Sequence, residues 1–163
     1  MPKIRIPTED DYRSFDGAHC HAIWARLSDE WRCPACQRTK FETMRWARRR
    51  PNQLARPGAK PYMSWLAAFA GHHDHASDAW RSGHTAQPAR FPETIICDQC
   101  NVADGTAKRQ LGLPSTWSFS PEEIRRFVIA APHQKHAIDL AIAEAIYREN
   151  GRRFPPPVFS GVR

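Results

Sequence analysis

The sequence predicts a small α+β domain stabilised by zinc. Four of the five cysteines fall into two C-x-x-C pairs, Cys33–Cys36 and Cys97–Cys100. Short β-branched or aromatic runs lead into the second pair and toward a histidine cluster between the pairs, whereas helical spacing dominates both ends of the chain. A tetrahedral zinc ion takes four thiolates, and each C-x-x-C turn supplies two of them without strain. Sixty residues (37–96) lie between the pairs, so the loop they close must carry structure of its own.

Each element has its own signal. Residues 1–18 mix charge with turn formers and predict an irregular arm. From Ala18 to Trp31 the apolar residues Ala22, Ile23, Leu27 and Trp31 recur at roughly helical spacing, predicting a helix that leads into the first cysteine pair. Pro34 suits a tight knuckle turn, because it fixes φ and donates no hydrogen bond. Phe41 to Arg50 predicts a short helix stopped by Pro51. Pro51, Pro57, Gly58 and Pro61 make residues 51–61 a loop. Tyr62 to Ala70 is apolar and aromatic, ends at Gly71, and predicts one strand that delivers the histidines. Ser77 to Pro92 is polar and predicts an inserted loop. Thr94-Ile95-Ile96 predicts a short strand feeding the second cysteine pair, and Asn101 to Leu111 a helix.

The C-terminal third starts clearly. Ser120-Pro121-Glu122-Glu123 places a capping serine, a proline at the first helical position and a glutamate three residues after the cap. Ile124, Phe127 and Val128 give that helix an apolar face. A last helix is predicted from about His133 to Asn150, with Ala137, Ile138, Ala141, Ile142, Ala145 and Ile146 on one side and Gly151 at its end. Pro155, Pro156 and Pro157 predict an extended tail. The organisation is then an N-terminal arm and helix (1–32), a zinc-closed core (33–111) and a C-terminal helical extension (112–163). Apolar faces on the extension would either buttress the core or form a homodimer.

With 163 residues, 41% of them hydrophobic, the composition is not that of a disordered chain. No apolar run approaches the roughly 20 residues that span a bilayer, and the first residues lack the apolar core of a signal peptide. These features predict a cytoplasmic protein with no membrane partner, a setting in which paired cysteines more often hold metal than form disulfides. Lys+Arg 24 against Asp+Glu 17 gives a formal charge of +7, an excess suited to a polyanion. Arg45, Arg48, Arg49 and Arg50 cluster around Trp46, and Lys108 and Arg109 would extend the patch. The favoured reading is contact with nucleic-acid phosphates, and the bland one is a solvated helix face. Trp65, Phe69 and Trp80 read as core. Cys20 reads as a buried, unligated thiol, and His84, His133 and His136 as surface or helix-cap histidines.

Other C-x-x-C chemistries fit less well. A thioredoxin-like pair would need a βαβ setting, and the second pair argues against it. Neither pair continues as C-x-x-C-H, so covalent haem attachment is disfavoured. A zinc deaminase needs H-x-E followed by P-C-x-x-C, and this chain has neither before its cysteines.

The cluster His72-His73-Asp74-His75, together with Asn101 beside the last thiolate, has the makings of a second, catalytic metal site. Phosphodiester hydrolysis needs an activated water, a neutralised phosphate and a stabilised leaving oxygen. A histidine titrating near about 6.5 can take the proton from water, and a divalent ion can hold the phosphate.

C-P-A-C, then G-H-H-D-H, then C-D-Q-C-N-V-A-D-G resembles the HNH (His-Me finger) endonucleases, and within them the recombination endonuclease VII type. The resemblance spans about Cys33 to Leu111. It implies a ββα-metal core with structural zinc, and Mg²⁺- or Mn²⁺-dependent cleavage of DNA that leaves 5′-phosphate and 3′-hydroxyl ends. It further implies zinc on Cys33, Cys36, Cys97 and Cys100, His73 as general base, and His72 and Asn101 as ligands of the catalytic metal. His75 and Asp104 take further catalytic positions. His72 stands where that group usually has Asp, and a softer imidazole shifts preference from Mg²⁺ toward Mn²⁺, Co²⁺ or Ni²⁺. A second register makes Asp74 the ligand and His75 the base. The competing function is a non-catalytic zinc-knuckle protein that binds nucleic acid.

Overall fold

The computed structural model describes residues 4–51, 56–82 and 88–151, without the side chains of 79–82. The proline-rich tail and His84 lie outside the described residues, as does the Trp80 side chain. What is described is a mixture of helices and small antiparallel sheets. The arm expected to be irregular contains α1 (Glu9–Ser14), started by a capping box between Thr8 and Asp11. A 3₁₀ turn (Ala18–Cys20) precedes α2 (His21–Arg26), so the helix predicted to reach Trp31 stops five residues earlier. Gly17 at φ +81° makes this possible, since a Cβ there would lie 2.5 Å from the Trp24 side chain.

The predicted helix Phe41 to Arg50 is the main correction. Only α3 (Lys40–Thr43) is helical, capped by Thr39 and Glu42. The arginines lie instead on β1 (Arg45–Arg49), which pairs antiparallel with β2 (Tyr62–Leu66). Cross-strand pairing overrides local helical preference, with Trp46 opposite Trp65 and their rings 5.0 Å apart. The single strand expected from Tyr62 to Ala70 is also two: the chain breaks at Ala67-Ala68, and β3 (Phe69–His72) joins a different sheet.

That second sheet positions the site. After a 3₁₀ helix (His75–Ser82), β4 (Thr94–Cys97) runs antiparallel to β3, with Phe69 opposite Cys97 and His72 opposite Thr94. The chain then enters α4 (Asp98–Leu111) directly, so this helix begins inside the cysteine knuckle and three residues before the predicted start. Gly112, at φ +62°, caps its C-terminus.

Ser120 caps α5 (Pro121–Phe127) as predicted, but Val128 leaves the helix and starts β5 (Val128–Ile129). β5 pairs with β6 (Ala137–Ile138), and α6 (Leu140–Gly151) begins seven residues later than predicted. No helix among the described residues is long and apolar enough to cross a membrane.

Two apolar clusters flank the β3–β4 hairpin. One joins Cys33, Ile96 and Cys97 to Phe119, Ile124, Phe127 and Ile146, so residues after 111 share it. The other gathers Trp24, Met44, Trp65 and Phe69, with Ile95 against it. Ile95 and Ile96 go to different clusters because successive strand side chains point to opposite faces. Trp65 and Phe69 are core residues, as expected.

Candidate metal and catalytic centre

The four paired cysteines converge where β4 meets α4. None is in a disulfide, and their ligand atoms all lie within 4.8 Å of one another. Sulfur–sulfur distances are 3.8 Å for Cys33–Cys100, 3.7 Å for Cys36–Cys97 and 3.5 Å for Cys97–Cys100. A tetrahedral ion with metal–sulfur bonds of about 2.3 Å needs edges of about 3.8 Å, so the donor set and its spacing fit zinc. The sulfurs perturb one another strongly at these distances. The contact with Cys100 pulls the Cys33 thiol down to about 7. Contacts first with Cys100, then with Cys33 and Cys97, push Cys36 much lower. Cys100 is driven up, first by Cys33 and then by Cys36.

Residues outside the cysteines complete this centre. Arg38 is buried; its Nη2 donates to Cys97 Sγ at 3.4 Å, and its Nη1 donates to the carbonyls of Ala131 (3.2 Å) and Gln134 (3.0 Å). His136, expected at the surface, is half-buried with Nε2 3.4 Å from Cys100 Sγ and 3.9 Å from Cys97 Sγ. Burial opposes its protonation, yet the sulfur contacts outweigh burial and raise its pKa. Arg125 of α5 donates to the knuckle carbonyls of Ala35 and Pro34. His133, also expected outside, is buried: its Nδ1–H donates to the Met44 carbonyl at 2.8 Å. Cys20 is half-buried and outside the cluster.

The histidine cluster lies at the other end of the hairpin, and its members separate. His72 is sealed in the interior. Its Nε2–H donates to the Phe119 carbonyl at 2.7 Å, its ring stacks on Phe91, and 3% of it is exposed. That arrangement commits Nε2 to the backbone and keeps His72 apart from the half-exposed His73 and His75. Asp74 is sealed too, at 1% exposure. Oδ1 accepts from Ala76 N–H (3.3 Å) and Oδ2 from Arg90 N–H (2.8 Å), an arrangement that shapes the turn and counts against the Asp74–His75 register.

His73, His75 and Asp78 come together in the open, their ligand atoms within 4.8 Å of one another. His73 Nε2–H donates to Asp78 Oδ2 at 2.8 Å, and the rings of His73 and His75 meet edge to face at 4.9 Å. His75 and Asp78 are three apart on a 3₁₀ helix, which has three residues per turn, so their side chains lie over one another. Burial, then the Lys108 charge, then His73 lower the His75 pKa and favour its neutral ring. Asp78 was missed in the sequence; the spacing His73-x-His75-x-x-Asp78 was its signal.

The cluster is tied to α4. Lys108 Nζ lies 3.5 Å from His75 Nδ1, bridges to Asp104 Oδ2 at 2.8 Å and donates to the Trp117 carbonyl at 3.0 Å. Asp104 Oδ1 also accepts the Phe119 N–H at 2.9 Å. Asp104 therefore fixes the 117–119 segment beneath His72. Lys108, held by these partners and largely buried, does not extend an exposed basic patch. Asn101, Asp104 and Lys108 stand at helical positions i, i+3 and i+7, one face of α4. Asn101 is half-buried there.

Comparison with protein-family models, curated proteins and solved structures finds no match.

The arginines are distributed differently from the expected helical cluster. On β1, Arg45 and Arg49 project to one face and Arg48 to the other. Arg48, Arg50 and Arg109 are exposed, while Arg45 and Arg49 are half-buried. Arg5 from the N-terminal arm stacks on Trp46 at 3.8 Å, adding a cation to the hairpin.

Proposed function

We propose that this chain is an HNH-type endonuclease that hydrolyses DNA to 5′-phosphate and 3′-hydroxyl ends, with zinc as its structural metal. One observation carries the reading. Two antiparallel strands followed without interruption by a helix, β3–β4–α4, are joined at the strand–helix junction by four cysteines. His73 follows the first strand and Asn101 lies in the first turns of the helix. A binding module needs the cysteines but not a half-exposed His–Asp pair at the far end of the same hairpin.

Asp78 holds His73 in the Nε2–H tautomer, so the Nδ1 lone pair is the base. His73 Nδ1 takes a proton from the attacking water, and the Asp78 carboxylate stabilises the resulting imidazolium. The lowered pKa of His75 keeps a second neutral imidazole beside it without adding positive charge. Lys108 orients His75 and joins it to Asp104.

Of the ligand pair that the resemblance implies for the catalytic ion, Asn101 stands half-buried in the first turn of α4, whereas His72 is buried with its Nε2–H on the Phe119 carbonyl. Mg²⁺ or Mn²⁺ tolerates this, because such ions are often held by one or two protein oxygens with water and substrate phosphates. When bound, the ion neutralises the scissile phosphate and the leaving oxygen. The exposed guanidinium groups of Arg48 and Arg50 supply non-specific attraction to phosphates.

The test is cleavage of plasmid, branched and single-stranded DNA in Mg²⁺, Mn²⁺ and Co²⁺, with the ends checked by ligation. Nicking that depends on metal and on His73, with ligatable ends, supports the proposal. Tight binding with no cleavage of any substrate in any metal would favour the zinc-knuckle binding protein.

A further inference from the structure

We propose that His73, His75 and Asp78 form a second metal site, selective for a borderline transition ion such as zinc, whose occupation switches the nuclease site off. The nuclease part of this statement rests on the proposed function; the metal site does not.

Two imidazoles and one carboxylate, with ligand atoms all within 4.8 Å of one another, make a donor set for one ion. Tetrahedral zinc with bonds of about 2.0–2.2 Å needs ligand atoms about 3.4 Å apart, so the 2.8 Å His73–Asp78 pair would open slightly while the other separations, all within 4.8 Å, adjust. The 3₁₀ helix stacks His75 over Asp78, and the strand end brings His73 against Asp78. Two of the three ligands are therefore already aligned. The side chains of His73 and Asp78 are 37% and 41% exposed, so an ion can enter and keep a solvent ligand. Imidazole nitrogen suits zinc, nickel and copper, whereas Mg²⁺ prefers oxygen. The cysteine centre differs in every respect: four sulfurs, almost wholly enclosed, at the opposite end of the hairpin.

The consequence follows from where the ion sits. It would take the place of the proton between His73 Nε2 and Asp78 Oδ2; the ring stays neutral by carrying that proton on Nδ1, so the Nδ1 lone pair is lost with no net release of a proton. The carboxylate that holds the His73 tautomer and stabilises its imidazolium would then belong to the ion, and His73 could no longer act as a base.

Protein carrying its cysteine-bound zinc is dialysed against free zinc in the micromolar range, and zinc per chain is measured. Wild type should take a second ion, whereas Asp78→Asn and His75→Gln should keep only the first. Retention of the first zinc shows that both variants are folded. Wild type that stops at one zinc, or Asp78→Asn that still takes two, overturns the proposal. In Mg²⁺-supported cleavage the same zinc should slow wild type at least about tenfold once it exceeds its dissociation constant by that factor. Whatever cleavage His75→Gln retains should not respond. If no form cleaves DNA, the nuclease reading fails, and the dialysis result still decides the metal site.

Discussion

The β3–β4 hairpin carries a polar cluster at each end, and the two have opposite characters. At the Phe69–Cys97 end Cys33, Cys97, Cys100 and Arg38 are buried, and the half-buried Cys36 and His136 close over them. At the His72–Thr94 end, His73, His75 and Asp78 stand half-exposed over a buried layer of His72, Asp74 and Asp104. The enclosed cluster has its donors directed at one another and suits a metal that holds the fold. The open cluster is accessible to solvent. Burial separates the two clusters, although both are built from residue types that can ligate metal.

The largest effect that would sharpen this contrast is loss of a thiolate. Cys33→Ser or Cys97→Ser should unfold the domain, since structural zinc can contribute about 10–16 kcal/mol of folding free energy. Circular dichroism with zinc analysis checks this, and a folded zinc-free variant would break the comparison. Next is the layer under the open cluster. Asp104→Ala leaves Lys108 buried without its carboxylate and removes the acceptor of the Phe119 N–H. A cost of about 3 kcal/mol is expected in urea unfolding, the scale for breaking a buried ion pair.

His73→Ala should keep zinc and stability but lower cleavage at least about 10²-fold, near 2.7 kcal/mol in the barrier. Equal loss in stability and activity would show that His73 belongs to the structural half. Replacing Arg48, Arg49 and Arg50 by Ala should weaken DNA binding and flatten its salt dependence by up to about 0.9 per lost contact. Fluorescence anisotropy across a salt series reads this directly.

The smallest effect concerns His75. Its midpoint, followed by NMR in protein holding only cysteine-bound zinc, should lie below the ordinary imidazole value, and Lys108→Met should raise it. The sign is that of a depressed histidine. The fold favours the neutral ring, so this contribution to stability is complete above about 6.5 and is lost as pH falls through the lower folded value.

Much of the four-cysteine cluster was legible because C-x-x-C spacing is a local signal tied to one geometry. The Ser120 cap and the Thr94–Cys97 strand were legible for the same reason: each is decided within a few residues. The histidine cluster was harder. G-H-H-D-H drew attention to the right place, but it does not say which side chains face inward. His72 and Asp74 were drawn into the core by Phe119, Phe91 and Arg90, residues 16 to 47 positions away. Asp78 joined the cluster only through a turn of 3₁₀ helix. The arginine run was misread as a helix because its local composition permits one, whereas pairing with Tyr62–Leu66 makes it a strand.

By itself, then, the sequence determined the paired-cysteine knuckles, the α+β alternation and the neighbourhood of the histidine cluster, since short-range spacing and capping chemistry specify these. The tertiary structure decided which histidines are buried, which carboxylate faces His73, and that Arg38 and His136 close over the sulfurs. Those outcomes depend on contacts between segments far apart in the chain, where burial and unsatisfied hydrogen bonds, rather than local propensity, set the free energy.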